Sequence, residues 1–135
     1  MAFEQTLTTQ AKQTALAYLA ENGLKMALYT AEADIGASTL VYTTVGEVVG
    51  TGYTAGGKTL DNVTVTVSGT TAYLDFDSVT WDPANFTARG ALIYNPTLGD
   101  LAVAVLDFGS DKTTTTTFTV QTPPNTVSSA LIRFA

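Results

Sequence analysis

The side chains best placed to do chemistry are three aspartates. Asp75 and Asp77 stand two apart, at the spacing that puts strand residues on one face, and Asp107 falls on a strand expected nearby. Three carboxylates could hold Ca²⁺, and two could divide into a general acid and a general base. Neither role is expected here, because the residues sit on regular strands and not in a liganding loop with a turn-forming glycine. Carboxylates so placed ordinarily face solvent or bond to threonine, where they deter edge pairing. Asp107 interrupts an otherwise apolar strand, which suits a bond to backbone at a strand end or an ion pair with Arg89.

Other chemistries fare no better. His and Cys are both absent, which removes the usual general base and the commonest zinc and copper ligands. A Ser or Thr nucleophile has no activating base, and no SxxK spacing occurs. The glycine-rich segment ends in Gly56-Gly57-Lys58-Thr59, the tail of a phosphate-binding loop without its first glycine and with no helix to follow. Trp81, Tyr53, Tyr73 and Tyr94 could line a sugar-binding surface, but aromatics in a β-protein more commonly fill a core or an interface. No catalytic residue, metal ligand or cofactor is therefore expected, and the chain does not read as an enzyme.

Composition narrows the partners. With 135 residues and no linker or repeat, residues 1–135 read as one domain. The net charge is −6, and the six basic residues, Lys12, Lys25, Lys58, Arg89, Lys112 and Arg133, are scattered. Nucleic acid is excluded as a partner, since phosphate binding needs clustered cations. The longest apolar run, residues 101–106, is far too short to cross a bilayer, so no membrane partner is expected. The N-terminal residues are too polar for a signal peptide, which predicts folding in a cytoplasm. Charged residues make up only 13% of the chain, and threonine supplies the polar surface instead, which suits strands.

The elements that must position these side chains are mostly strands. Residues 1–6 read as an arm bearing Phe3, followed by a helix over residues 9–22 with Thr8 or Thr9 as N-cap and Asn22-Gly23 as its stop. Ala11, Ala15, Leu16, Leu19 and Ala20 recur on one side of that helix, with Lys12, Gln13 and Glu21 opposite. Because this stripe is narrow and rich in alanine, Phe3, Leu7, Ala11, Ala15, Leu16 and Leu19 are taken as candidate contact residues for another chain. Residues 24–135 read as a β-sandwich. Residues 24–29 alternate, with Leu24, Met26 and Leu28 inward; residues 40–42 suit a short edge strand; residues 62–67 and 71–76 suit a hairpin. Residues 86–95 and 101–108 form the expected central hairpin, apolar on both faces, with Leu92, Ile93, Val103 and Val105 buried. Residues 109–112 read as a turn, residues 113–121 as a strand, residues 123–125 as a turn and residues 129–134 as the last strand. The predicted fold is all-β, a sandwich of jelly-roll type with about eight strands and one short N-terminal α-helix.

Four blocks in order, GYTAGGKTLDNVTV (residues 52–65), FDSVTW (76–81), ARGALIYN (88–95) and AVAVLDFGSDK (102–112), give the chain a resemblance to small virion structural proteins of tailed bacteriophages. The resemblance implies a place in the virion, assembly in a bacterial host cytoplasm, and no catalytic site. It implies the major capsid protein as a partner and self-association as a dimer or trimer. Within that family a capsid decoration (cement) protein fits the small size, the disulfide-free chain and the arm plus helix. A tail, adaptor or fibre component is the alternative, although a fibre would ordinarily show repeats or heptads. A carbohydrate-binding β-sandwich module is the third reading.

Overall fold

The computed structural model describes residues 5–121 and 130–134. Along the chain it runs α1 (Thr9–Leu19), β1 (Lys25–Tyr29), β2 (Lys58–Thr59), β3 (Thr64–Ser68), β4 (Thr71–Asp75), β5 (Val79–Trp81), β6 (Phe86–Asn95), a 3₁₀ turn (Pro96–Leu98), β7 (Leu101–Thr114), β8 (Phe118–Val120) and β9 (Arg133–Phe134). The strands make antiparallel sheets in the orders β2-β1-β6-β7, β3-β4-β9 and β5-β8. The all-β class with one short helix is as the sequence predicts. The paired four-stranded sheets of a jelly roll are not laid out among the described residues. The expected Pro123 turn and Ser129 lie outside them, as does Phe3.

β6 is the strand on which the packing rests. Its side chains alternate between two cores. Ala91 and Ile93, with Met26 and Leu28 of β1, enter a main core with Leu16, Leu74, Phe76, Val79, Trp81, Phe86 and Phe118. Leu92 and Tyr94, with Ala27 and Tyr29 of β1, enter a second core under Ala33, Ile35 and Tyr42 of the long loop after β1. A central strand with both faces covered is what its unbroken apolar run predicts. β1 is covered in the same way, so Ala27 and Tyr29 are as buried as the predicted Met26 and Leu28.

The predicted partner of β6 needs correction. β7 is not a central strand but the edge of its sheet, and Val103 and Val105 are half-buried where Leu92 and Ile93 are fully enclosed. Nor does the chain turn at residues 109–112. Between the register pairs Ala88↔Lys112 and Gly90↔Asp107, β6 passes one residue while β7 passes residues 108–111, so those residues form a wide bulge inside one strand. Gly109 takes the left-handed conformation that this bulge needs, with φ 85°. The threonine run is divided accordingly. Thr113 and Thr114 still pair with β6, and Thr114 then accepts from the Thr116 N–H and donates to the Thr117 carbonyl in a turn before β8.

The helix also differs from its predicted face. Thr8 caps it, accepting from the Ala11 N–H at 3.2 Å, as expected. The residues it buries, however, are Leu16 and Lys12. Lys12 lays its stem along the protein and donates from Nζ to the Thr70 carbonyl at 2.7 Å, at the tip of the β3–β4 hairpin. Asn95, fully buried at the end of β6, holds the other end of the helix. Its Nδ2 donates to the Leu19 and Glu21 carbonyls at 2.9 and 2.8 Å, satisfying backbone acceptors that every helix C-terminus leaves open.

Truncation should separate the two strands of the central hairpin. Ile93→Ala should cost about 2–5 kcal/mol by urea denaturation, while Val105→Ala on the half-exposed edge should cost about 1 kcal/mol. Equal losses would mean that β7 is as enclosed as β6.

Candidate functional site

The densest polar cluster of the fold lies where the loop after β1 returns across the sheet, around Glu47. The loop brings Glu47 beside the end of β1, where Tyr29 bridges to Glu47 and the Val48 N–H donates to the Leu28 carbonyl at 3.0 Å. The Glu47 side chain is buried beneath this crossing. Its Oε1 accepts from the Tyr42 hydroxyl at 2.6 Å, and its Oε2 accepts from the Tyr53 hydroxyl and, at 2.8 Å, from the Gly56 N–H. The Tyr53 oxygen in turn accepts from the Leu28 N–H at 3.0 Å. Tyr29 donates to the Thr43 carbonyl and Tyr94 to the Gly56 carbonyl, each at 2.7 Å, and the Tyr42 and Tyr94 rings stack at 4.7 Å.

This arrangement explains the glycine-rich segment. Gly57 crosses so close to β1 that a Cβ would sit on the Met26 carbonyl, and Gly52 lies equally close to the Pro83 carbonyl; both have positive φ. The glycines are close-approach points for backbone, and the Gly56 N–H serves Glu47 and not a phosphate.

The electrostatics follow from burial. Loss of water raises the Tyr29 and Tyr94 hydroxyls to about 12, and the nearby Glu47 charge adds to the effect. Tyr42 and Tyr53 are raised further, by burial first and then by the hydrogen bond each donates to Glu47. A phenol that gives its proton to a carboxylate bond and ionises only in strong alkali is a poor acid or base near neutrality. None of the three principal surface hollows is lined by Glu47. The cluster binds the loop to the sheet.

The residues singled out from sequence are dispersed. Asp75 accepts from the Thr66 hydroxyl at 2.6 Å, Asp77 from the Asn62 amide, and Asp107 from Arg89 and from the Gly109 N–H at 2.9 Å. Among the described residues no three acidic side chains gather in a way that could hold a metal ion. Both partners that the sequence offers Asp107, backbone and Arg89, are present; the Gly109 N–H first, and then the Arg89 charge, hold its carboxyl below the usual range. Trp81, Tyr73 and Tyr94 are buried, with Tyr53 stacked on Trp81 at 6.2 Å, the core placement that aromatics of a β-protein commonly take. Of the candidate contact residues, Leu16 belongs to the main core, Leu19 packs against it, Ala11 and Ala15 are half-covered and Leu7 is exposed.

Two features went unread in the sequence. Glu47 carried a usable signal, as a lone acid set among Val45, Val48 and Val49. The other is the set of large apolar side chains displayed by the same loop: Leu40 at 78% exposure, Val45 at 70% and Val49 at 94%. Three hollows follow β7: one against residues 36–39, one against residues 30–35 that includes Arg89 and Asp107, and the largest, about 560 Å³, between β7 and β8. No helix among the described residues is long and apolar enough to cross a membrane.

Removing Glu47 should release the loop. Glu47→Ala strands two phenols and the Gly56 N–H and should cost on the order of 2–4 kcal/mol in denaturant, with Glu47→Gln milder. The raised tyrosines also set an alkaline limit. An unfolded phenol ionises near pH 10, the folded Tyr29 and Tyr94 only near 12. Their contribution to stability is thus complete below about pH 10 and is lost progressively as pH rises toward 12. In a Tyr18→Phe variant, which removes the exposed phenol, tyrosinate absorbance and β-sheet circular dichroism should change together in that window; ionisation of most of the remaining tyrosines ahead of unfolding would contradict the buried cluster. Comparison of the chain with protein-family models, with curated proteins and with solved structures finds no match.

Proposed function

We propose that this protein is a structural virion component of a tailed bacteriophage, a capsid decoration (cement) protein that binds the outer head surface and stabilises the shell. Two things support the reading: the ordered series of sequence blocks described above, and the way the fold uses its polar groups. The observation that carries it is the contrast between interior and surface. The buried carboxylate and its phenols are spent on holding the loop after β1, while that loop turns Leu40, Val45 and Val49 outward. Exposed aliphatics on a well-anchored loop suit a protein that docks. The partner proposed is the major capsid protein.

We add the loop to the contact surface that the sequence suggests; of the helix stripe, Leu16 is taken up by the core while Ala11 and Ala15 stay half-covered. Leu16 is committed to the core and Asn95 ties the helix end to β6, so loss of residues 1–22 would damage the fold itself.

Counting copies in separated heads and tails tests the reading. A cement protein should approach the major capsid protein in copy number and follow DNA-filled heads. A few copies that travel with tails would instead favour a tail, adaptor or fibre component. Within the cement reading, Val45→Asp with Val49→Asp should lower head occupancy at least tenfold while leaving the melting temperature within a few degrees, since both side chains already lie in solvent. Full occupancy by the double variant would rule this loop out as the contact.

A further inference from the structure

The loop after β1 carries an inference about the surface it meets. Half of the large apolar side chains exposed among the described residues lie within residues 40–49, and three of them, Leu40, Val41 and Val45, fall in the short run 40–45. That run is fixed at both ends. Val41 bridges to Leu101, with the Tyr42 N–H donating to the Asp100 carbonyl at 2.9 Å and the Ala102 N–H to the Leu40 carbonyl at 3.0 Å. Just past its other end the Gly46 carbonyl accepts from the Thr30 N–H at 2.8 Å, and a Cβ on Gly46 would sit 2.6 Å from the Ala33 Cα. The backbone thus sets Asp100 beside Val41, and Glu32-Ala33-Asp34 beside Val45. Glu32 and Asp34 are exposed and Asp100 is half-exposed. None of these three carboxylates enters an ion pair or a hydrogen bond among the described residues.

The charge around the run is one-sided. Residues 26–57 contain Glu32, Asp34 and Glu47 and no Lys or Arg, and residues 90–106 contain Asp100 as their one charged residue. Arg89 is paired with Asp107, which cancels it. Lys25 lies at the opposite end of β1 with its Nζ near Gly56, and Lys58 reaches to the Thr80 carbonyl. Setting Lys25 against the four acids still leaves a net of −3. This balance selects among occupants. A second copy of this face, a nucleic acid and an anionic lipid surface would each bring negative charge to negative charge. A protein surface with an apolar recess bordered by Lys or Arg matches both the aliphatics and the acids around them.

We propose that residues 40–45 dock on a basic protein surface: Leu40, Val41 and Val45 enter an apolar recess whose rim of Lys or Arg pairs with Glu32, Asp34 and Asp100. The apolar contacts hold the complex. The rim charges steer the approach and fix the orientation, since ion pairs left in solvent add little affinity of their own. The inference rests on the decoration reading for its setting, gives the shell side of the contact a chemistry, and implies attachment that weakens as salt rises. Asp75 and Asp77 offer a contrast, because they are bonded to Thr66 and Asn62 and have no comparable aliphatic run beside them.

Two experiments test it and keep it apart from the decoration reading. In the first, the full chain is titrated with a synthetic amphipathic helix whose leucine face is bordered by lysines, and with a counterpart bordered by glutamates, and amide chemical shifts are followed. The lysine peptide should shift residues 30–34, 40–46 and 99–101, and the glutamate peptide should leave them unmoved. Glu32→Gln combined with Asp34→Asn and Asp100→Asn should weaken the lysine peptide at least tenfold. The melting temperature should stay within a few degrees, because the three carboxylates hold nothing within the chain and Asn suits the positive φ of Asp100, 60°. No binding, shifts centred on Asp75 and Asp77, or equal binding of the two peptides would overturn the proposal, whether or not heads carry the protein. In the second, undecorated heads are the probe. Wild-type affinity should fall at least tenfold between about 0.05 and about 0.5 M NaCl, and the amide variant should bind weakly with little response to salt. Salt-independent binding by the wild type, or wild-type affinity in the amide variant, would also overturn it. Peptide binding centred on the loop in a protein that heads do not take up would sink the decoration reading and leave the charge-matched surface standing. Should the triple variant fail to fold, the two peptides on the wild-type chain decide the question.

Discussion

The fold depends on burying both faces of β6. A strand that carries Leu92 and Ile93 in succession cannot satisfy both by packing on one side, because neighbouring side chains point in opposite directions. Each such side chain is worth roughly 1.5–3 kcal/mol when removed from water, so leaving either face wet would forfeit much of a small domain's margin. The main core answers one face with the β3–β4 hairpin, the β5–β8 ribbon and the helix. The loop after β1 answers the other, and for that reason a segment without regular strands is held as firmly as a layer of the fold.

Covering a sheet with a loop creates a polar problem that Glu47 and Asn95 solve at two places. Loop backbone brought against a sheet carries N–H and C=O groups that regular pairing does not satisfy. Glu47 accepts from the loop at Tyr42, Tyr53 and Gly56 together, and Tyr94 returns a bond to the same glycine. Asn95 does the equivalent for the helix, donating to two carbonyls at its end while its own Oδ1 accepts from the Thr97 N–H at 2.9 Å. No buried side-chain polar atom among the described residues lacks a partner. Polar groups used in this way hold the loop and the helix to the sheet.

Much of this architecture was legible before any coordinates. The composition of the chain dictated a fold without metal or disulfide clusters of Cys and His, since it contains neither residue. The alternation at residues 62–67 and 71–76 determined a hairpin, the double-sided apolar run at residues 86–95 determined a central strand, and Thr8 marked the start of the helix, which ends at Leu19 with Ala20 as its C-cap, short of the expected stop at Asn22-Gly23. These are local patterns, set by the two-residue and 3.6-residue periods of the backbone. The tertiary structure decided the matters that depend on which segment lies next to which. Residues 101–106 are as apolar as residues 91–94, yet one run is an edge and the other a centre, because position in a sheet is a property of the neighbours and not of the strand. Lys12 looked solvent-facing until the tip of the β3–β4 hairpin supplied a carbonyl for its ammonium group. Gly109 read as a turn, since a left-handed glycine serves a turn and a bulge equally, and only the pairing of Thr113 and Thr114 with β6 separates the two. Glu47 looked like one acid among twelve; its partners come from residues 42, 53 and 56, and no periodicity records a contact made by a folded loop.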